Sequence, residues 1–165
     1  MKTLYLVRHA KSSWNNANLS DHDRPLNDRG EREAPRMGKR LKKRKPQPTI
    51  IISSSAVRAE TTATILAEAI GYPTADLRID ARVYEAEPND VVSIIRELDD
   101  AIDCAMLVGH NPTFTNLINT LGRCAIENVP TCGMAVLTFP MDAWSEISEI
   151  QGDLLDFDYP KKNTD

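Results

Sequence analysis

Short apolar runs alternate along the chain with longer stretches that have helical periodicity. The apolar runs have the length of buried strands and lie at residues 3–8, 48–55, 104–109 and 134–139. The helical patterns lie between them, at residues 26–45, 56–70, 87–100 and 111–122. This alternation predicts an α/β fold, a three-layer α/β/α sandwich with a mostly parallel central sheet.

Local signals refine these elements. Asn27 is expected to cap the first helix, and Pro35 is expected to kink or divide it. Gly71 is expected to end the second helix. The acidic tail "DLLDFDYPKK", residues 153–162, forms either an edge strand or a surface segment. No internal repeat or linker divides the chain, so we expect residues 1–165 to form a single domain.

Composition narrows the classes of protein that this chain can represent. Its 165 residues suffice for a substantial core, and 41% hydrophobic with 27% charged residues is typical of a globular protein. The net charge of −4 gives no general attraction to nucleic acid. Only four consecutive apolar residues precede Arg8, too few for a signal peptide or a membrane span. We therefore expect a cytoplasmic protein without membrane or nucleic-acid partners.

The three cysteines, Cys104, Cys124 and Cys132, show neither disulfide nor zinc-ligand spacing. A cysteine phosphatase needs arginine six positions after its cysteine, and these positions hold histidine, proline and threonine. No P-loop motif is present. The stretch "DFDYP" looks like the two-aspartate loop of haloacid-type phosphatases, but it does not follow an apolar strand. These phosphatase and nucleotide-hydrolase classes are therefore excluded.

Charge is distributed unevenly along the chain. Between Arg36 and Lys45, seven of ten residues are basic. Such a run at the end of a helix is commonly a solvated face favoured by the helix dipole, and the alternative is a surface that docks an acidic partner.

Basic side chains follow three of the predicted strands. Arg8 and His9 follow the first, Arg58 follows the second by a few residues, and His110 follows the third. The carboxyl ends of parallel strands share one edge of a sheet, where α/β proteins bind ligands. Each residue alone could be a solvated or structural side chain. Together, two guanidinium groups and two imidazoles would repel one another unless an anion lay between them, and the arginine fork matches phosphate oxygens. The sequence therefore predicts a phosphate pocket.

Three motifs, in order along the chain, resemble the histidine phosphatase superfamily, which is related to the cofactor-dependent phosphoglycerate mutases. They are "LVRHA" at 6–10, "SSSAVRAETTA" at 53–63 and "LVGHNP" at 107–112. The small size and "RPLNDRGEREAPRMG" at 24–38 resemble its compact bacterial phosphohistidine phosphatase branch, the SixA type. The resemblance covers residues from about 3 to 140, with Ala10 where the usual signature has glycine.

The resemblance implies that His9 is the nucleophile that becomes phosphorylated, while Arg8, Arg58 and His110 bind the phosphoryl group. The chemistry agrees, because a neutral imidazole has an electron pair available near pH 7 and can attack phosphorus. Fixed positive donors stabilise the charge on the equatorial oxygens, so neither a metal nor a cofactor is expected. A bound dianion should favour the cationic form of His110.

The substrate and the proton donor stay open at this point. We expect a phosphohistidine-bearing protein or a small phosphoester, while a binding module that senses a phosphorylated partner is the alternative. Relatives that act on esters carry a carboxylate near the middle of the chain, and Glu85 is the counterpart by position; it either serves as general acid or is an exposed residue at a helix entrance. Trp14 either covers a ligand or packs at the rim.

Overall fold

The computed structural model describes residues 1–162, which form one six-stranded sheet flanked by four helices. The strands are β1 (Lys2–Arg8), β2 (Ile50–Ser53), β3 (Arg78–Ile79), β4 (Cys104–Gly109), β5 (Met134–Phe139) and β6 (Asp153–Asp158). The helices are α1 (Asp28–Lys42), α2 (Val57–Ile70), α3 (Pro88–Arg96) and α4 (Thr113–Gly122). The four predicted strands and four predicted helices all form, and short strand β3 is an addition.

The strand order across the sheet is β3-β2-β4-β1-β5-β6. Strands β3, β2, β4 and β1 pair in parallel, and β5 is antiparallel to both β1 and β6. The prediction of a mostly parallel sheet is therefore confirmed. The tail forms edge strand β6, which decides between the two alternatives left by the sequence.

Alternate residues of the strands pack into two separate cores, one on each face of the sheet. On one face, Tyr5 and Val7 of β1 pack with side chains of α1 and α2. On the other face, Leu4 and Leu6 pack with side chains of α3 and α4. Neighbouring side chains of a strand point to opposite faces of the sheet, so a single buried strand contributes residues to both cores. This arrangement confirms the three-layer α/β/α sandwich.

Helix α1 begins as predicted but is not divided. The side chain of Asn27 accepts a hydrogen bond from the Gly30 amide at 2.9 Å, which caps the helix. A Cβ on Gly30 would overlap the Lys11 carbonyl, so glycine is required where α1 meets the loop after β1. Helix α1 continues through Pro35, and the expectation of a division there was wrong. Pro35 and Glu31 are both exposed, so water can replace the hydrogen bond that proline removes.

Part of the basic run is bound by the chain's own acidic tail. Arg40 reaches the Asp158 carboxylate at 3.1 Å, and Arg44 reaches the same carboxylate at 2.9 Å and also pairs with Asp156. Asp158 has 5% of its side chain exposed, so its two ion pairs are largely shielded from water, whereas the pair with Asp156 is partly exposed. The basic run is thus neither wholly solvated nor reserved for a separate partner, because two of its arginines fasten β6.

Cys104, Cys124 and Cys132 are free thiols. Burial raises the pKa of both the Cys104 and the Cys132 thiol to about 12. Within residues 1–162, no helix is both long enough and apolar enough to cross a membrane.

Candidate active site

Strands β1, β2 and β4 end side by side and bring Arg8, His9, Arg58 and His110 together. Arg8 lies opposite Gly109 in the register between β1 and β4, so the next residues of each strand, His9 and His110, leave the sheet as neighbours. Their ring centroids are 5.2 Å apart. Arg58 lies in the first turn of α2, and its charge adds to the effect of burial, which lowers the pKa of both histidines.

The imidazole of His9 is held in one tautomer. Its Nδ1 lies 2.7 Å from the Ala10 carbonyl oxygen, which can only accept, so Nδ1 carries the proton and Nε2 keeps its electron pair. Only 7% of His9 is exposed, and burial lowers its pKa to about 3. His9 therefore presents a neutral, oriented imidazole at physiological pH, with Nε2 free to accept a bond.

Ala10 occupies the glycine position of the signature without strain. Its φ is not positive, and its amide donates to the Thr62 hydroxyl at 2.9 Å. Because this turn does not need the left-handed conformation, alanine fits it as well as glycine.

The guanidinium of Arg8 points into the crevice with donors to spare. One of its terminal nitrogens donates to the Val129 carbonyl at 3.0 Å, and its Nε is buried without a partner. Burial lowers the pKa of Arg8, and the charge of Arg58 adds to that effect. A half-buried guanidinium without an ion-pair partner within the described residues is suited to bind an anion.

Arg58 is positioned by Asp21, a residue that the sequence analysis did not single out. Its guanidinium donates to the Asp21 carbonyl at 2.7 Å and to the Asp21 carboxylate at 3.0 Å. The same carboxylate accepts from the Tyr84 hydroxyl and from Arg24, each at 2.7 Å. The hydrogen bond from Tyr84, followed by those from the two arginines, holds the pKa of Asp21 far below its usual range. Asp21 is thus an ionised anchor for Arg58.

His110 is the second imidazole of the crevice. Its Nε2 lies 2.7 Å from the Ser54 hydroxyl, and the Tyr84 ring packs edge-on against it with centroids 5.7 Å apart. Burial first and the Arg58 charge second lower its pKa to about 4. The protein alone therefore keeps His110 neutral, and the expected cationic form requires the charge of a bound dianion to overcome burial.

A pocket of about 160 Å³ opens beside His9. It is lined by Arg8, His9, Lys11, Ser12, Trp14, Arg24, Arg58 and Thr131. The loop before β5 closes one side, where the Cys132 amide donates to the His9 carbonyl at 3.0 Å. Three arginines and one lysine line the pocket, and none of its described lining residues is a carboxylic acid, so its lining is positively charged.

Glu85 lies in a neighbouring pocket of about 260 Å³, whose lining includes His110 but not His9. Its side chain is exposed and its φ is 57°. The structure thus brings Glu85 to the His110 side of the crevice and leaves Arg8 and His9 in the other pocket. Among residues 1–162, no group of three or more His, Cys, Asp or Glu side chains is arranged to hold a metal ion.

The site residues that the sequence analysis missed come from loops. Asp21 and Arg24 belong to the polar loop "DHDRP", while Tyr84 and Thr131 belong to connections on either side of β4. The sequence did contain one signal for the first loop, because several charged residues lie close together shortly before Asn27, the cap of α1. Which of these charges meets Arg58 depends on how the loop folds back over α2.

Comparison with known proteins defines the class. A family model for the histidine phosphatase superfamily (branch 1) matches residues 4–100. The chain belongs to this superfamily and is a phosphatase. A 2,3-bisphosphoglycerate-dependent phosphoglycerate mutase of a Chelativorans strain is 35% identical over 101 residues, which make up 60% of this chain and 48% of the mutase.

Two further similarities concern the whole chain. An uncharacterized protein of Mycobacterium tuberculosis is 32% identical over 165 residues, which cover 94% of this chain and 100% of that protein. A crystal structure from Agrobacterium tumefaciens, named as a candidate phosphohistidine phosphatase SixA, superposes with a TM-score of 0.80 at 30% identity and covers 96% of this chain and 98% of its own. The chain is therefore a SixA-like member of the superfamily.

Proposed function

We propose that this protein is a metal-independent phosphohistidine phosphatase that acts on a phosphorylated protein through a phosphorylated His9. The observation that carries the proposal is the Nδ1 hydrogen bond of His9 to the Ala10 carbonyl at 2.7 Å, which leaves Nε2 as a nucleophile inside a cationic crevice. A module that only bound phosphate would need the arginines but not an oriented nucleophile.

The reaction has two steps. Nε2 of His9 attacks phosphorus in line, a phosphorus–nitrogen bond to His9 forms, and the bond to the leaving group breaks with its electron pair on the leaving atom. Water then attacks the phosphorus of phospho-His9, and the electron pair of the broken bond returns to Nε2. Inorganic phosphate leaves, and the neutral imidazole is restored.

The surrounding charges stabilise both transition states. Arg8, Arg58 and His110 face the oxygens on which charge develops, and burial makes each of these interactions stronger than it would be in water. Arg58 has its orientation set by Asp21 before substrate arrives, so little reorganisation accompanies the chemical step.

The lining of the His9 pocket favours phosphohistidine over esters. An alkoxide needs a proton donor to leave, and no described residue of this pocket is a carboxylic acid. The imidazole of a ring-protonated phosphohistidine leaves as a neutral group and needs no proton donor.

We also propose that residues 1–165 form a single catalytic domain that works in a reducing, cytoplasmic setting. The three free cysteines support a reducing setting, because disulfides are rare there.

The test is trapping of the phosphoenzyme. The matched control is His22→Ala, since His22 is the one histidine of the chain besides His9 and His110 and does not line the His9 pocket. Brief reaction with labelled phosphohistidine protein followed by alkaline quenching should leave acid-labile label on the wild type and on this control. His9→Ala should carry no label and have no turnover, while inorganic phosphate still raises its melting temperature. Full activity in EDTA is expected. Turnover by His9→Ala, or loss of activity in EDTA that a divalent metal restores, would contradict the proposal.

A second candidate is hydrolysis of small phosphoesters with Glu85 as general acid, favoured by its position in the pocket that contains His110. In that case Glu85→Gln should slow hydrolysis of glycerol phosphate by about 10²–10⁴-fold. It should leave phosphohistidine and activated aryl phosphates nearly unaffected, because their leaving groups need no proton. Equal losses on all substrates would point to damaged folding instead. No loss on any would remove Glu85 from catalysis.

A further inference from the structure

The indole of Trp14 is exposed at the mouth of the catalytic pocket. It lines the same pocket as His9, yet 73% of the residue is accessible to solvent. The Arg24 guanidinium lies over its ring, 3.3 Å from the ring centroid. One face of the indole is therefore covered by a cation, and the exposure leaves the other face open to solvent.

Arg24 is itself fixed in place. Only 7% of it is exposed, and it donates to the Asp21 carboxylate at 2.7 Å and to the Ser13 carbonyl at 3.0 Å. It also donates to the Ser12 hydroxyl. A buried guanidinium with this many partners cannot follow a mobile side chain, so it supports the ring of Trp14 in a constant orientation.

Trp14 lies on the side of the pocket where the leaving group would be, rather than where the phosphoryl group would be. In-line attack by Nε2 of His9 requires the leaving atom on the far side of phosphorus, towards solvent. In the proposed mechanism Arg8 and Arg58 bind the phosphoryl oxygens, and Arg58 is buried whereas Trp14 is exposed. A rim side chain with one free aromatic face is therefore placed to meet the group that departs.

We propose that Trp14 is a specificity-determining residue that stacks on a planar leaving group, the imidazole ring of the substrate phosphohistidine. This inference rests on the proposed function. An offset aromatic stack contributes enough to raise kcat/KM by about 2- to 10-fold. Leu19, in the same loop and 38% exposed, lacks the two features that distinguish Trp14, because it neither lines the pocket nor stacks on a fixed cation.

A pair of substrates isolates this contact. Phosphoimidazole and phosphoramidate both transfer a phosphoryl group from nitrogen, and only the first has a ring on the leaving atom. Trp14→Ala should lower kcat/KM for phosphoimidazole by about 2- to 10-fold and change that for phosphoramidate less than twofold. Trp14→Phe should restore most of the loss, and Leu19→Ala should lose activity on neither.

Unreactive phosphonates provide a readout that does not depend on turnover. Phenylphosphonate should inhibit the wild type more strongly than methylphosphonate, and Trp14→Ala should abolish that preference. Phenylphosphonate should also quench the fluorescence of exposed Trp14, whereas Trp144 is fully buried and serves as the internal reference.

Two outcomes would overturn the inference about Trp14: equal losses on phosphoimidazole and phosphoramidate, which indicate a structural role, or no loss on either. Failure of the proposed function is distinguishable, because wild-type protein would then acquire no label on His9 from phosphohistidine protein, whatever residue stands at position 14.

Discussion

Two groups of arginines in this molecule are similarly shielded from water but differ in their partners. Arg40 and Arg44 meet the carboxylates of Asp158 and Asp156 at the edge of the sheet. Arg8, in the crevice, has no carboxylate partner among the described residues and donates to a carbonyl. Burial lowers the pKa of both Arg8 and Arg44, but hydrogen bonds to Asp158 and the charge of Asp156 outweigh it for Arg44, whose pKa is raised overall.

The difference separates arginines that the chain's own carboxylates neutralise from an arginine that is left suited to bind an anion. A buried cation that is neutralised by the chain's own carboxylates holds two elements together and leaves little field for a ligand. A buried cation with an unpartnered donor keeps its attraction for an anion, at a cost to the stability of the fold. Arg58 is intermediate between these two cases. The Asp21 carboxylate holds it in place, while the crevice stays positive overall.

The largest expected effect separates the two groups by activity. Arg8→Ala should lower kcat/KM by about 10²–10³-fold, because it removes a preorganised donor to the phosphoryl oxygens. Arg44→Ala should leave kcat/KM of the folded enzyme within twofold. Steady-state kinetics with one substrate measures both. Similar losses in the two variants would mean that the carboxylate partners do not distinguish them.

The second prediction concerns stability, where we expect the larger effect at the ion pairs of Arg40 and Arg44. Asp158→Asn leaves two shielded guanidinium groups short of a carboxylate and should lower the free energy of unfolding by about 3 kcal/mol. Asp153→Asn is the matched control, because its ion pair with Arg123 is exposed and should change stability by less than about 1 kcal/mol. Urea unfolding followed by circular dichroism measures both. Equal stability of the two variants would contradict the role of the Arg40 and Arg44 contacts.

The smallest effect concerns pH. With folded-state pKa values of about 3 for His9 and about 4 for His110, neither imidazole should titrate between pH 5.5 and 8 in NMR spectra of the protein. The unfolded chain takes up protons near pH 6.5, so stability is full above that value and falls as the pH drops towards 4. The double variant His9→Asn/His110→Asn should have a shallower dependence over this range. Titration of His9 or His110 near pH 6.5 would contradict the conclusion that burial in the crevice lowers their pKa values.

Added phosphate sharpens the comparison further. A bound dianion should raise the pKa of His110 into the observable range, as the sequence analysis expected. The shift should persist in Asp158→Asn and weaken in Arg8→Ala, since only the latter changes the anion site.

Much of the fold and of the crevice could be predicted because it depends on local patterns. Continuous apolar runs identified four strands, and the direction shared by parallel strands placed Arg8, His9, Arg58 and His110 at one edge. The cap at Asn27 was equally local. The division expected at Pro35 was wrong because the rule for proline considers the lost hydrogen bond. Exposure, which the sequence does not state, determines whether water replaces that bond.

What the sequence by itself determined is therefore the set of elements, their layers and the chemistry collected at the strand ends, since each depends on periodicity over a few residues. Only the tertiary structure decided which charges became partners: Asp21 for Arg58, Asp158 for Arg40 and Arg44, and Arg24 for the ring of Trp14. It also decided that β5 runs antiparallel, because an apolar run carries no information on its direction. Ion pairs and stacks depend on distances of a few ångströms between residues that are often far apart in the chain, and the packing of helices on the sheet sets those distances.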